Sequence, residues 1–157
     1  MAVLKPIAVG VVLHGVFTVT IPWLLLRQTA GWPAIPLGPL RWVGVGLVAF
    51  GAYLYVWSLV YLLQHETSAV PGQPPAHLQV SGWYRRVRHP LLLGVVAILL
   101  GETVWFASVA LLAYALCYWL WLHVFVTLRE ERDLQAAFGD AYGAYAREVP
   151  RWLPRLW

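Results

Sequence analysis

Charge is what this chain has least of. Only 11% of its 157 residues are Asp, Glu, Lys or Arg, whereas soluble domains usually carry about 25%. So few charges do not cover a water-facing surface, which excludes an ordinary soluble globular protein. Cysteine is nearly absent as well. Cys117 stands alone inside an apolar run, so the chain forms no internal disulfide and no metal centre built on thiolates. There is no internal repeat and no low-complexity tract. Seven acidic residues face eleven Lys and Arg, a formal charge of +4. On so apolar a chain this excess points to membrane orientation and lipid headgroups rather than to nucleic acid.

What the chain has in place of charge is hydrophobic length. Apolar residues make up 61% of it, and a helix needs about 20 of them in a row to span the hydrocarbon core of a bilayer. Pro6 to Leu26 is free of charge, as is Trp42 to Leu63. The first run is too long for a signal-peptide core and lacks a small-x-small exit, so it reads as a span. Between the two lies a short loop rich in proline and glycine. From Leu91 to Leu128 only Glu102 is charged. As one helix that stretch would be nearly twice the bilayer thickness. It is therefore expected to be a hairpin, turning between Gly101-Glu102-Thr103 and Ser108. The expected fold is all-α: a multi-pass bundle with four spans, about 6–26, 42–63, 90–105 and 108–128. A loop over 64–89 and a C-terminal helix over 129–147 complete a single membrane domain.

The basic residues support four spans. That count puts Lys5, Arg85, Arg86, Arg88, Arg129, Arg132, Arg147, Arg151 and Arg155 on one side, and only Arg27 and Arg41 on the other. Positive residues favour the cytoplasm, so both termini are expected there. Within the C-terminal segment, Leu134, Phe138, Tyr142 and Tyr145 recur at i, i+4, i+8 and i+11, one face of a helix. Pro71, Pro74 and Pro75 lie near the middle of the long loop, which reads either as a lid or as a plain connector. His14, Trp23, Tyr53, Tyr55 and Trp57 read as packing or interface residues. Gly44, Gly46 and Gly51 read as sites of close helix packing.

Two polar clusters flank the hairpin. Gly82-Trp83-Tyr84-Arg85-Arg86-Val87-Arg88-His89-Pro90 precedes it, and Arg129-Glu130-Glu131-Arg132-Asp133 follows it. Arg88 and His89 stand at a helix start, where the N-terminus favours an anion and Pro90 suits the first turn. Arg85 and Arg86 read as lipid anchors. Glu130 and Glu131 point about 100° apart on an α-helix, so both do not face one pocket equally. One acid suits an ammonium group while the other pairs with arginine. A positive and a negative site side by side match a zwitterionic amino-acid group.

The strings LQVSGWYRRVRHPLLLG and REERDLQAAFGDAYGAYAREVPRWLP resemble the isoprenylcysteine carboxyl methyltransferase family and the related phospholipid methyltransferases. The resemblance covers residues 78–154. It implies an integral membrane methyltransferase using S-adenosylmethionine on a lipophilic substrate, a lipid amine or a prenylcysteine-like carboxylate, that enters from the bilayer. Carried over residue by residue, it implies cofactor contacts at Gly82, Tyr84, Arg88, His89, Pro90, Gly94, Glu130, Glu131 and Tyr142, with Arg88, His89 and Glu131 as the catalytic set. Phe138, Gly139 and Tyr145 match the family's C-terminal helix. Leu92 stands where the family often has tyrosine, and Trp83 where proline is common. Two other functions fit the scaffold: a non-catalytic lipid-binding or assembly protein, and a sterol-reductase-like enzyme using a nicotinamide cofactor. The acceptor and the oligomeric state are left open by the sequence.

Overall fold

The computed structural model describes residues 4–65 and 77–155, with side chains from Ala8 onward. The three loop prolines Pro71, Pro74 and Pro75 lie outside the described residues. Within them the chain is all helical. Three helices, Ala8–Gln28, Gly38–Gln64 and Val109–Phe138, are long and apolar enough to cross a membrane, and Pro90–Phe106 is a shorter apolar helix. At 17 residues this last one rises about 25 Å, slightly less than a typical hydrocarbon core.

The first helix changes its winding half-way. α1 (Leu4–Gly15) passes through a π-helical turn, Val16–Thr20, into α2 (Ile21–Gln28). Pro22 supplies the reason. Ile21 donates its N–H to the Val16 carbonyl, but Pro22 has no N–H to continue the wide turn onto Phe17. The Tyr114 hydroxyl donates to the Phe17 carbonyl instead, at 2.8 Å. A neighbouring helix thus satisfies a backbone group that lipid would leave bare.

α3 (Arg41–Gln64) and α4 (Pro90–Phe106) run antiparallel in close contact. Their approach is set by two glycine pairs with a seven-residue repeat. A Cβ on Gly44 would meet the Gly101 carbonyl oxygen at 2.5 Å, and one on Gly101 the Gly44 oxygen at 2.6 Å. Gly51 and Gly94 oppose each other in the same way. Gly46, by contrast, faces open space. Between membrane helices, where lipid is as apolar as leucine, such backbone contact drives association. Replacing Gly51 with valine is expected to cost about 3 kcal/mol, the upper part of the usual range for overpacking. Gly46→Val should fall within about 0.5 kcal/mol of the parent. Thermal unfolding in detergent reads both.

The hairpin turns at the far end of the stretch expected for it. Gly101, Glu102 and Thr103 stay helical, since Gly101 is engaged in packing, and α4 ends at Phe106. Ala107, buried and left-handed at φ 52°, makes the turn. Ser108 then caps α5 (Val109–Phe125) by accepting from the Leu111 N–H. At this end Ile35 N–H donates to the Ala107 carbonyl and Arg41 Nε to that of Trp105. The apolar interior lies between α3, α4 and α5, around Leu62, Leu92, Val95, Leu99, Tyr118 and Leu122. Val12, Trp42 and Leu120 are among the large apolar side chains that point outward, as lipid-facing residues do.

After α5 the helix passes through a second π-helical turn, Val126–Glu130, into α6 (Glu131–Phe138). The continuous helix Val109–Phe138 has 30 residues, about 45 Å, so its charged end from Arg129 projects beyond the hydrocarbon. The helix expected over 129–147 is interrupted. Gly139, at φ 52° and ψ −128°, ends α6, and α7 (Asp140–Glu148) starts on a new axis. Only glycine adopts that conformation without strain.

Candidate functional site

The site forms where the start of α4, the π-turn after α5, α7 and the C-terminal segment meet. Ahead of α4, Gly82 has φ 58°, and a Cβ there would collide with the Trp57 indole. A 3-10 turn, Gly82–Arg85, follows, and Val87 buries itself completely. The Tyr84 carbonyl accepts from the Tyr145 hydroxyl at 2.7 Å. Tyr84 packs beside Trp57 and Tyr61. Arg85 and Arg86 point outward, and Arg86 lies over the Trp83 ring.

Arg88 holds the C-terminal segment. Its N–H donates to the Pro150 carbonyl at 3.0 Å and its Nε to that of Val149 at 2.9 Å. Its Nη1 donates to Glu131 Oε1 at 2.7 Å. Arg151 grips the same carboxylate with two bonds, Nε to Oε1 at 2.8 Å and Nη2 to Oε2 at 2.7 Å. Both Glu131 oxygens are therefore taken. Burial alone would raise the Glu131 carboxyl, but His89, Arg151 and Arg88 outweigh it and hold it down at about 2.

His89 precedes Pro90 and caps α4 without a side-chain bond to it. Its ring lies between the two acids. Nδ1 is 3.3 Å from Glu130 Oε1, and Nε2 is 3.7 Å from Glu131 Oε1. Two adjacent residues thus face one imidazole, contrary to the divergence expected on an α-helix. The loosely wound π-turn leading into Glu131 brings them together, a feature often found at functional sites. Burial would lower the imidazole, but the Glu130 carboxylate, aided by Glu131, raises it to about 9.

These shifts set a pH window. His89 is raised above its ordinary 6.5, so its stabilisation is complete below that value and is lost as pH rises through about 9. Glu131 is lowered from 4.5, so its stabilisation is complete above that value and is lost as pH falls through about 2. Thermal unfolding between pH 6 and 10 should show Tm falling from about pH 6.5 and levelling off above about pH 9. The variant His89→Gln should lack that fall.

Most of the sequence-selected residues converge here. Arg88, His89, Pro90, Glu130 and Glu131 stand together, and buried Tyr142 carries its ring close to Arg88 and the acids. Gly82 and Tyr84 support the approach to the cluster. Gly94 lies elsewhere, in the α3–α4 seam against Gly51. Three residues outside that selection also stand here. Arg151 completes the Glu131 pair, and Trp152 Nε1 donates to His123 Nδ1 at 3.0 Å. Trp152 also packs near His89. The available signal was Pro150, which stops the helix and lets the chain fold back.

Two buried polar atoms at the cluster, His89 Nε2 and Tyr142 Oη, make no hydrogen bond among the described residues. Glu130 remains partly open to solvent. Two donors and a carboxylate are thus on offer for a carboxylate and an ammonium. No group of three or more His, Cys, Asp or Glu among the described residues is placed to hold a metal ion.

Comparison with known proteins decides the family. Residues 40–141 match the model of the phospholipid methyltransferase family. The chain belongs to that family. It is 33% identical to a methanethiol S-methyltransferase of Mycobacterium tuberculosis over 132 residues, covering 82% of this chain and 52% of that protein. It is 40% identical to methanethiol S-methyltransferase 2 of Bradyrhizobium diazoefficiens over 136 residues, 82% of this chain and 49% of the relative. A third relative is the cobalt-zinc-cadmium resistance protein CzcN of Cupriavidus metallidurans, 30% identical over 154 residues, 90% of this chain and 63% of that one. The chain thus spans about half the length of the two methyltransferases. No solved structure matches it significantly.

Proposed function

We propose that this family member is an integral membrane methyltransferase that uses S-adenosylmethionine and acts on a lipophilic acceptor entering from the bilayer. The observation that carries it is the pairing of an open carboxylate, Glu130, with the unpartnered donors His89 Nε2 and Tyr142 Oη. Together they suit the amino-acid end of that cofactor. When bound, the cofactor supplies an activated methyl group on a cationic sulfur.

The roles of the side chains follow from their bonds. Glu131 is saturated by two arginines, so Glu130 takes the ammonium. Tyr142, with Arg88 beside it, takes the carboxylate. His89, charged at neutral pH, holds Glu130 in place. Glu131 is a positioning residue that ties the C-terminal segment over the cluster. Catalysis then rests on orientation and exclusion of water. A thiolate or carboxylate acceptor needs no base at neutral pH, while an ammonium does.

We infer four spans, with the shorter helix α4 as the third, and the cluster and both termini on the cytoplasmic side, as the distribution of basic residues favours. Incubating purified protein and membrane lipid with methyl-labelled cofactor tests the proposal. Label is expected in an organic-extractable product, and label confined to the unreacted donor would contradict it.

A further inference from the structure

The turn ahead of α4 sends two neighbouring aromatic residues in opposite directions. Tyr84 packs inward beside Trp57 and Tyr61, and its carbonyl accepts from Tyr145. Trp83 goes outward. Its ring meets Phe50 at 6.1 Å and Tyr53 at 6.3 Å, and its Nε1 donates to the Tyr53 hydroxyl at 3.4 Å. Phe50 is 40% exposed and Tyr53 53%, so this is the lipid-facing side of α3. Trp83 stands where proline is common in the resembling family, and the cluster around His89 makes no use of its indole.

Depth and charge point to one kind of occupant. Gly51, between Phe50 and Tyr53 in sequence, lies opposite Gly94, one turn into α4 from Pro90. Because α4 is barely as long as the hydrocarbon core is thick, that turn marks the border between headgroups and acyl chains. Trp and Tyr favour this level. Arg86 lies over the Trp83 ring, its guanidinium carbon 5.5 Å from the centroid. Among the described residues it makes no ion pair, and its side chain donates no hydrogen bond. Arg85 beside it is exposed. Glu130 and Glu131 are engaged by His89, Arg88 and Arg151 on the inner side, so they do not neutralise these two cations. A guanidinium with all its donors unspent fits a phosphate.

We propose that Phe50, Tyr53, Trp83 and Arg86 form a docking site for one anionic phospholipid, with its phosphate on Arg86 and an acyl chain along the three rings. The site rests on the chain spanning a membrane and not on the methyltransferase reading. It lies on the outer side of α3, across the Gly82–Arg85 turn from the cluster, so its lipid is a bound companion and not the methyl acceptor. Phosphatidylcholine fits less well, because its own ammonium adds a cation beside Arg85 and Arg86. A free phosphate lacks the chain that the rings hold. Trp83 and Tyr84 share one turn, so a lipid seated there also steadies the Tyr84 carbonyl that Tyr145 binds.

The purified full chain, stripped of lipid in detergent, is titrated with dioleoylphosphatidylglycerol, dioleoylphosphatidylcholine and inorganic phosphate, and bound lipid is counted by native mass spectrometry. One phosphatidylglycerol should bind per chain, at least about fivefold tighter than phosphatidylcholine, the worth of one arginine at an anionic headgroup. Arg86→Gln should erase that preference, and Trp83→Ala should weaken both lipids. Arg132→Gln, at an exposed arginine of α6, should change neither, and inorganic phosphate should not displace the lipid. Arg86 is exposed, so Arg86→Gln tests the site even where Trp83→Ala unfolds. Equal affinity of the parent for both lipids would overturn the proposal. So would equal losses in Arg86→Gln and Arg132→Gln, undiminished binding by a folded Trp83→Ala, or displacement of the lipid by phosphate.

Discussion

Replacing Glu131 with alanine is expected to cost about 3–5 kcal/mol of stability, the usual penalty for breaking a buried ion pair from one side. The reason lies in the count of charges around one carboxylate. Arg88 and Arg151 both bond it, and the side chains of Arg88 and Glu131 are each 13% exposed. Without the acid, two guanidinium groups face each other with no counter-charge. The C-terminal segment loses its hold on α6 and keeps the Arg88 bonds to Val149 and Pro150, the Arg155 N–H bond to the Arg86 carbonyl and the Trp152 bond to His123. Glu131→Gln should recover part of the loss, since an amide oxygen still accepts from one arginine. Replacing Arg88, Glu131 and Arg151 together with apolar residues of similar size should recover most of it, because whole buried triads are often dispensable for stability. Thermal unfolding in detergent would rank the three variants. A Glu131→Ala protein as stable as the parent would show that the triad does not hold the segment.

This assignment separates two acids that the sequence presents as equals. The Arg-His-Pro and Glu-Glu strings are legible because each is local, and the hairpin between them brings its own ends together. The lengths of the apolar runs announce the long helices in the same direct way. Other features depend on backbone geometry that composition does not reveal. Leu134, Phe138, Tyr142 and Tyr145 keep perfect helical spacing across Gly139, so the break there is invisible until its φ is known. The π-turn before Glu131 is equally silent, yet it turns both acids onto His89. Arg151 reads as one more positive residue, because its partner lies 20 positions away across a helix break. Gly94 sits in a motif that suggests cofactor contact, while its visible work is to let α4 meet Gly51.

The second large effect concerns Glu130. Among the described residues its one charged partner is His89, at 3.3 Å, and its side chain remains 29% exposed. Its replacement by glutamine keeps size and shape and leaves the Arg88–Glu131–Arg151 triad intact. Folding should therefore suffer less than in Glu131→Ala, the loss being the Glu130 share of the His89 stabilisation. Cofactor affinity should not survive so well, because a charge-assisted bond to an ammonium is about twice as strong as a neutral one. Losing it is expected to weaken binding by about 10- to 100-fold, or about 1.5–3 kcal/mol. Glu130 and Glu131 would thus show different patterns, one losing affinity more than Tm and the other losing Tm first.

Calorimetric titration of S-adenosylhomocysteine into the parent protein and Glu130→Gln, in the same detergent, tests the cluster as a cofactor site most directly. The account predicts saturable one-site binding by the parent and at least tenfold weaker binding by the variant, at a temperature where both proteins remain folded. No binding by the parent, or equal affinity in the two proteins, would contradict it.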